Sequence, residues 1–141
     1  MPIKFFNEDN SFNLKDRIKL KRWINSSILN EKRNLGLVNY IFTSDKYLLS
    51  INKEYLSHNY YTDIITFNYC EKNNISGDIF ISIDTVKNNS NRFGVTFKHE
   101  LHRVMIHGIL HLIGYDDQND EEKAEMREKE NYYLERLKNL F

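Results

Sequence analysis

The sequence predicts an α+β fold, in which a small mixed sheet of about four strands and the helices around it enclose one buried helix. Short segments rich in β-branched and aromatic residues alternate with longer segments of helical periodicity. Residues 104–113 are apolar or glycine apart from two histidines, which predicts a helix that is apolar on all sides and therefore buried. The 141 residues include one proline and five glycines and no linker-like stretch, so a single domain over residues 1–141 is expected.

The predicted elements follow one another in mixed order. Strands are expected at residues 3–7, 37–43, 62–69 and 78–83. Helices are expected at residues 14–30, from Ser44 or Asp45 to about Tyr55, at 84–91, from Thr96 to about Ile113, and from Asn119 or Asp120 onward. The polar segment 70–77 is typical of a hairpin connection, so the third and fourth strands should be antiparallel.

Cysteine content and hydropathy constrain the cellular setting. Cys70 is the only cysteine, which excludes an intramolecular disulfide and a cysteine-based zinc knot and favours a reducing compartment. The charged first ten residues lack the apolar stretch of a signal peptide. No apolar run approaches the roughly 20 residues required to cross a bilayer. We therefore expect a soluble, cytoplasmic protein.

Opposite charges are concentrated in two segments, although the net charge is zero. Residues 14–33 contain seven basic and two acidic residues, whereas residues 116–130 contain eight acidic and three basic residues. The basic segment has the charge needed to contact nucleic-acid phosphates. A solvated helix face would have the same composition, so charge alone does not distinguish the two interpretations.

A pair of histidines at the end of the apolar helix predicts a metal site. His107 and His111 lie four residues apart and hence on one helix face. Buried neutral rings each have a nitrogen lone pair that a shared divalent cation would satisfy. Gly114 follows where a helix often ends in a turn, which would return Asp116 or Asp117 toward the histidines. The spacing His-x3-His-x2-Gly-x2-Asp is that of the metzincin ligands with aspartate third, so we predict that His107, His111 and Asp117 bind one zinc or other divalent transition metal.

Core histidines hydrogen-bonded to neighbours are the alternative interpretation, which the i, i+4 pairing, the glycine and the acids disfavour. His99 and His102 lie in the polar opening turns of the same helix and are interpreted as solvated or structural. His58 lies in a polar loop and has no spacing partner. Gly108 stands where His-Glu-x2-His peptidases have their general base, so the metal ligands are present without the proteolytic base.

The segment HGILHLIGYDD, residues 107–117, closely resembles the signature His-Gly-x-Leu-His-Leu-x-Gly-Tyr-Asp-His of the YbeY family of bacterial endoribonucleases. Residues 51–67 and 77–82 resemble two further blocks of that family, so the resemblance covers about residues 37–126. It implies a zinc site and single-strand-specific cleavage of RNA in rRNA maturation and ribosome quality control. The rRNA precursor and the ribosome or its proteins are the implied partners.

Two positions depart from the family pattern. Asp117 stands where the family has a third zinc-binding histidine, and its harder oxygen donor shifts the metal preference somewhat toward manganese. Leu56 stands where the family usually has an arginine implicated in RNA cleavage. No basic residue replaces that arginine in place, and His58, two residues on, is the conjectured substitute.

The predicted activity is that of a metal-dependent endoribonuclease, in which metal-bound water attacks the RNA phosphodiester. Arg92, Arg103 or the basic residues of 15–22 are expected to hold the RNA backbone. The catalytic acid and base stay unassigned, because the candidates Asp63 and Asp116 have equally good structural explanations.

Two other functions remain open at this point. A metal-stabilised factor that binds rRNA or the ribosome without cutting is favoured by Leu56. Another zinc hydrolase, such as a peptidase, is disfavoured by Gly108. The sequence leaves the oligomeric state open.

Overall fold

The computed structural model describes residues 2–56 and 62–140. Over these residues the chain forms one four-stranded sheet and five helices. The strands are β1 (Ile3–Asn7), β2 (Asn34–Thr43), β3 (Ile64–Asn68) and β4 (Asn74–Ser82). The helices are α1 (Arg17–Asn30), α2 (Asp45–Leu56), α3 (Ile83–Phe93), α4 (Phe97–Ile113) and α5 (Asp120–Leu140). The predicted α+β class, with a small mixed sheet and surrounding helices, is confirmed.

The sheet has the strand order β1-β2-β4-β3. The β1–β2 and β2–β4 pairs are parallel, and the β3–β4 pair is antiparallel. Parallel neighbours need a crossover connection, which α1 supplies between β1 and β2. The antiparallel pair is joined by a tight turn in which Glu71 pairs with Asn74. The predicted hairpin is therefore confirmed.

Helix α4 lies at the centre of the molecule, which explains why its sequence is apolar on all sides. It contacts β3 and β4 as well as α1, α3 and α5. Met105, Ile106 and Ile109 are completely buried in one core with Trp23 of α1. Burial of each such aliphatic side chain stabilises the fold by about 1.5–3 kcal/mol relative to exposure. Within residues 2–56 and 62–140, no helix combines the length and apolar character required for a membrane span.

Three of the predicted helix starts are confirmed by side-chain caps. Backbone N–H groups three residues further on donate to the side chains of Ser44, Thr96 and Asn119 at 3.1, 3.0 and 2.8 Å. Helix α1 begins at Arg17, later than expected, because Asp16 has the left-handed backbone angles φ 59° and ψ 36°. Leu14 nevertheless contributes to the core from the loop before the helix, which accounts for its place in the apolar pattern.

Gly77 lies where β4 passes close to both β3 and α4. A Cβ at this position would lie 2.5 Å from the carbonyl oxygen of Phe67 and 3.0 Å from a methyl group of Leu112. Because the carbonyl belongs to a paired strand, we expect Gly77→Ala to lower the free energy of unfolding by about 1–3 kcal/mol in urea denaturation. Gly94→Asn is the control, since a Cβ there meets nothing within 4 Å and asparagine tolerates the left-handed conformation. Equal midpoints for Gly77→Ala and the unmodified protein would contradict the expectation.

Candidate metal centre

His107 and His111 project from the same side of α4, as their spacing predicts. Their ring centroids lie 4.5 Å apart with an interplanar angle of 84°. The helix that carries them is largely buried, but their side chains are 14% and 23% exposed. The two imidazoles therefore lie at the edge of the core, where an ion and a substrate can reach them.

The turn after α4 brings Asp117 to both histidines. Gly114 ends the helix with φ 124° and ψ 2°. Asp117 Oδ2 lies 3.5 Å from Nε2 of His107 and 3.5 Å from Nε2 of His111. The three donor atoms lie within 4.8 Å of one another, and the ligands of a tetrahedral zinc ion lie roughly 3.3–3.6 Å apart. The three predicted residues converge, and this donor set fits one divalent cation.

Sequence reasoning missed the residue that orients His107. Oε2 of Glu130, on α5, lies 2.6 Å from Nδ1 of His107, and the carboxylate is 2% exposed. Nδ1–H donating to this carboxylate leaves the lone pair of Nε2 for a metal. The signal in the sequence is that Glu130 shares the buried face of α5 with Met126, Tyr133 and Leu137. A glutamate at apolar helical spacing indicates a buried charge that needs a partner.

Arg103 belongs to the same network. Its guanidinium donates to Glu100 at 3.0 and 2.7 Å and to Glu130 at 3.1 Å, and both carboxylates are buried. Burial opposes the guanidinium charge, but the hydrogen bonds to Glu100 and the attraction of Glu130 outweigh it and raise the pKa of Arg103. Burial also opposes the charge of Glu130, yet His107 and Arg103 hold the pKa of this carboxyl below its usual value. Arg103 is thus turned toward internal carboxylates, which corrects the expectation that it holds the RNA backbone.

The two acids considered as catalytic acid or base lie in different environments. Asp63 lies 3.7 Å from Arg103 and lines, with His107 and Asp117, a cavity of about 340 Å³. Burial raises the pKa of Asp63, although Arg103 and His107 oppose the shift. Asp116 is exposed and lies outside the converging ligand group found in the described part of the chain. Asp63 is therefore the acid that shares the cavity with the candidate ligands.

The other residues singled out in the sequence lie apart from this centre. His102 is buried, whereas His99 is exposed on the same helix. Arg92 is exposed at the end of α3, and Leu56 is 39% exposed at the end of α2. The bases between residues 15 and 22 are exposed or partly exposed. The proposed substitute for the family arginine, His58, lies outside the described residues.

The largely buried carboxylate of Glu31 anchors the turn that carries Asp117. Tyr115 donates to Oε1 of Glu31 at 2.6 Å, while Lys129 and the hydroxyl of Tyr133 both contact Oε2. Burial would raise the pKa of Glu31, but the hydrogen bonds from Tyr115 and Tyr133 outweigh it and lower the pKa. Because Tyr115 precedes Asp117 by two residues, this cluster limits where the third candidate ligand can lie.

The backbone at Gly114 provides a test of how the turn positions Asp117. Nothing lies within 4 Å of a Cβ at Gly114, but φ 124° is strained for any other residue, at a cost of about 1–3 kcal/mol. We expect Gly114→Ala to shift the turn and to weaken zinc binding, measured by competition with a chromophoric chelator. Gly94→Ala is the matched control, because φ 68° is also unfavourable there and the surroundings are equally open. It should lower stability and leave zinc affinity unchanged, and equal zinc affinities for both variants would refute the role of Gly114.

Fold and site together define a class of α+β proteins that have a candidate metal centre of two histidines and an aspartate. A small mixed sheet supports a buried helix with a His-x3-His pair, an aspartate returns to the pair after a glycine turn, and a buried glutamate orients one histidine. The chain matches the family described as endoribonuclease YbeY over residues 4–138. It belongs to the YbeY family, as the resemblance in the sequence indicated.

Individual relatives agree with this assignment over most of their length. The chain is 50% identical over 133 residues to an endoribonuclease YbeY of Cytophaga hutchinsonii, which covers 94% of this chain and 93% of that protein. It is 44% identical over 133 residues to one of Karelsulcia muelleri, with 94% of each chain covered. The solution structure of a protein from Thermotoga maritima matches with a TM-score of 0.69 at 31% identity, over 96% of this chain and 88% of that one. The relatives from Cytophaga and Karelsulcia are named as endoribonucleases, that is, as hydrolases that act on RNA.

Proposed function

We propose that this protein is a metal-dependent endoribonuclease that cuts single-stranded RNA in rRNA maturation and ribosome quality control. We further propose that it acts in the cytoplasm on the ribosome or its precursors. His107, His111 and Asp117 are the proposed ligands, and zinc is the proposed cation. Family membership supports the RNA substrate, and the convergence of these three side chains supports the metal.

The main structural support for a bound metal is the excess of negative charge around the imidazoles. Four carboxylates, those of Asp63, Glu100, Asp117 and Glu130, lie within 4.0 Å of Arg103 or of the imidazoles. Among the described residues, Arg103 and Arg127 are the guanidinium groups within that distance of them. Two of these carboxylates are almost completely buried. Buried charge is costly unless it is compensated, and a divalent cation beside the histidines would balance the excess.

A bound divalent cation would activate a water molecule and polarise a phosphate oxygen of the RNA. The remaining tasks fall to side chains of this chain. Glu130 holds His107 with Nε2 free for the cation. Lys123 and Arg127 line the same cavity and would attract the RNA backbone. Asp63, beside Arg103, is the proposed group for taking or returning a proton.

The peptidase alternative fails on space as well as on chemistry. A Cβ at Gly108 would lie 2.9 Å from a methyl group of Ile79 and 3.0 Å from one of Ile64. This position faces the sheet, so a general-base glutamate has no room there. The binding-factor alternative is supported by Leu56, because the family usually has at this position an arginine implicated in RNA cleavage.

RNA cleavage by the purified protein tests the proposal. Metal-loaded protein would be incubated with single-stranded and hairpin RNAs of equal length, in parallel with His111→Ala and His99→Ala. His99 is the matched control, because it is an exposed histidine on the same helix. We expect cleavage of the single-stranded RNA by the unmodified protein and by His99→Ala, and none by His111→Ala.

Circular dichroism and urea denaturation of each variant would separate loss of chemistry from loss of the fold. RNA binding by all three proteins without cleavage by any of them would support the binding factor instead. If folded His111→Ala still cleaved the RNA, the proposed role of the metal in cleavage would be refuted.

A further inference from the structure

A second cavity, of about 420 Å³, lies between the loop before α1 and the first turns of α4. Its inner wall is apolar and aromatic and is formed by Phe12, Leu14, Phe97, Leu101 and His102. It shares no lining residue with the cavity of the metal centre. The volume falls in the range of about 300–1,000 Å³ that is typical of small-molecule sites.

His102 is the polar group at the inner wall of this cavity. It is 8% exposed and packs against the buried ring of Trp23 at 6.1 Å between centroids. Its side chain makes no hydrogen bond or ion pair with the described residues. Every described side-chain nitrogen or oxygen that is fully shielded from solvent, however, has a hydrogen-bond partner. Its ring nitrogens are therefore reachable from the cavity. Such a nearly buried, unpaired polar group needs a partner.

The protonation state of His102 limits what that partner can be. Burial, followed by the charge of Lys98, lowers the pKa of His102 to about 4. The ring is therefore neutral near pH 7 and offers one donor and one acceptor. Flat heterocycles that carry both donors and acceptors on one edge, such as nucleobases, complement this pair.

The mouth of the cavity is basic and its wall is aromatic. Lys15 and Lys98 are exposed at the mouth. Asp16 pairs with Lys98 at 3.2 Å, but the two side chains are 43% and 66% exposed, so the pair is screened by water and open to exchange. The rings of Phe12 and Phe97 meet edge to face at 5.8 Å. Aromatic walls with adjacent lysines are the features that bind single-stranded nucleic acid through base stacking and phosphate contacts.

We propose that this cavity binds one nucleobase and its adjacent phosphate, with the base against Phe12, Phe97 and His102 and the phosphate at Lys15 and Lys98. Naming the ligand as a nucleotide rests on the RNA substrate proposed above. Five residues of α4 separate His102 from His107, which is about 7–8 Å along the helix axis. A strand anchored here would therefore lie near the metal centre and on another face of the same helix.

Nuclear magnetic resonance of the histidine side chains tests this proposal. The protein would be titrated with AMP, with ribose 5-phosphate and with a 2′-O-methyl RNA pentamer, which resists cleavage. We expect a saturable shift of the His102 imidazole signals with AMP and with the pentamer, no shift with ribose 5-phosphate, and no shift at exposed His99. Tighter binding of the pentamer than of AMP would identify RNA as the source of the base, and equal binding would identify a free mononucleotide.

A pair of charge reversals provides the control. Lys98→Glu should weaken binding on the order of tenfold. Lys138→Glu should not weaken it, although Lys138 is equally exposed at 69% and has a similar surface pair with Glu135 at 3.7 Å. Three results would overturn the proposal: no shift of the His102 signals with AMP or the pentamer, an equal shift with ribose 5-phosphate, or an equal loss of affinity in Lys98→Glu and Lys138→Glu.

These experiments can refute the proposed nuclease and the proposed cavity site independently of each other. Absence of RNA cleavage with an intact His102 response would refute the proposed nuclease and keep the cavity site. Cleavage with no His102 response would refute the cavity site and keep the nuclease.

Discussion

Asp117→Ala is expected to lower zinc affinity by more than about a hundredfold, because changes even to groups that merely orient metal ligands cost 10- to 100-fold. Two imidazoles would remain to hold the cation, without the carboxylate that lies 3.5 Å from both. RNA cleavage should fall with the bound metal. Elemental analysis of the purified variant and the single-stranded RNA assay measure the two effects on the same sample.

Two matched variants sharpen this test. Asp116→Ala removes an exposed acid one residue away and should leave metal content and cleavage unchanged. Asp117→His introduces the third histidine of the family pattern and should keep zinc, with a lower tolerance for manganese than the unmodified protein. Full metal occupancy in Asp117→Ala, or a loss of metal in Asp116→Ala as large as in Asp117→Ala, would refute the assignment of Asp117.

Glu130→Ala is expected to be the most destabilising change at the site, lowering the free energy of unfolding by about 3–5 kcal/mol. The substitution removes one of the carboxylates that balance the buried guanidinium of Arg103, leaving Glu100 and, at 3.7 Å, Asp63. It also leaves Nδ1 of His107 without its acceptor. Urea denaturation of the metal-free protein measures the loss. Glu128→Ala, at an exposed position of the same helix, is the control and should change stability little.

Glu130→Gln separates packing from orientation of the ligand. The amide keeps the shape of the side chain but is a weaker acceptor than a carboxylate, so His107 should be held less firmly. We expect zinc affinity to fall about 10- to 100-fold with a smaller loss of stability than in Glu130→Ala. A variant with the zinc affinity of the unmodified protein would show that Glu130 acts in packing alone.

The elements of the fold were predictable because their signals are local. The strands and helices show alternation, helical spacing and capping residues within a few positions, and Ser44, Thr96 and Asn119 cap helices as expected. Boundaries were less accurate. Asp16 delays α1 through its left-handed backbone, and β2 begins at Asn34 because its first residues pair with β4 before an irregularity between Leu35 and Val38.

The sequence by itself determined the chemistry of the candidate site. His107, His111, Gly114 and Asp117 are close in the chain, and helix geometry with one glycine turn is sufficient to bring their donor atoms together. The family signature lies in the same segment, so the RNA-directed function was also predictable there.

Only the tertiary structure decided what supports that site and what surrounds it. The contact of His107 with Glu130 joins residues 23 apart, and that of Tyr115 with Glu31 joins residues 84 apart. Such partners depend on how α1, α4 and α5 pack, which periodicity within one helix does not specify. Packing likewise turned Arg103 inward to carboxylates and placed His102 at the wall of a cavity. Burial makes these charges and polar groups depend on one another, because water no longer competes for them.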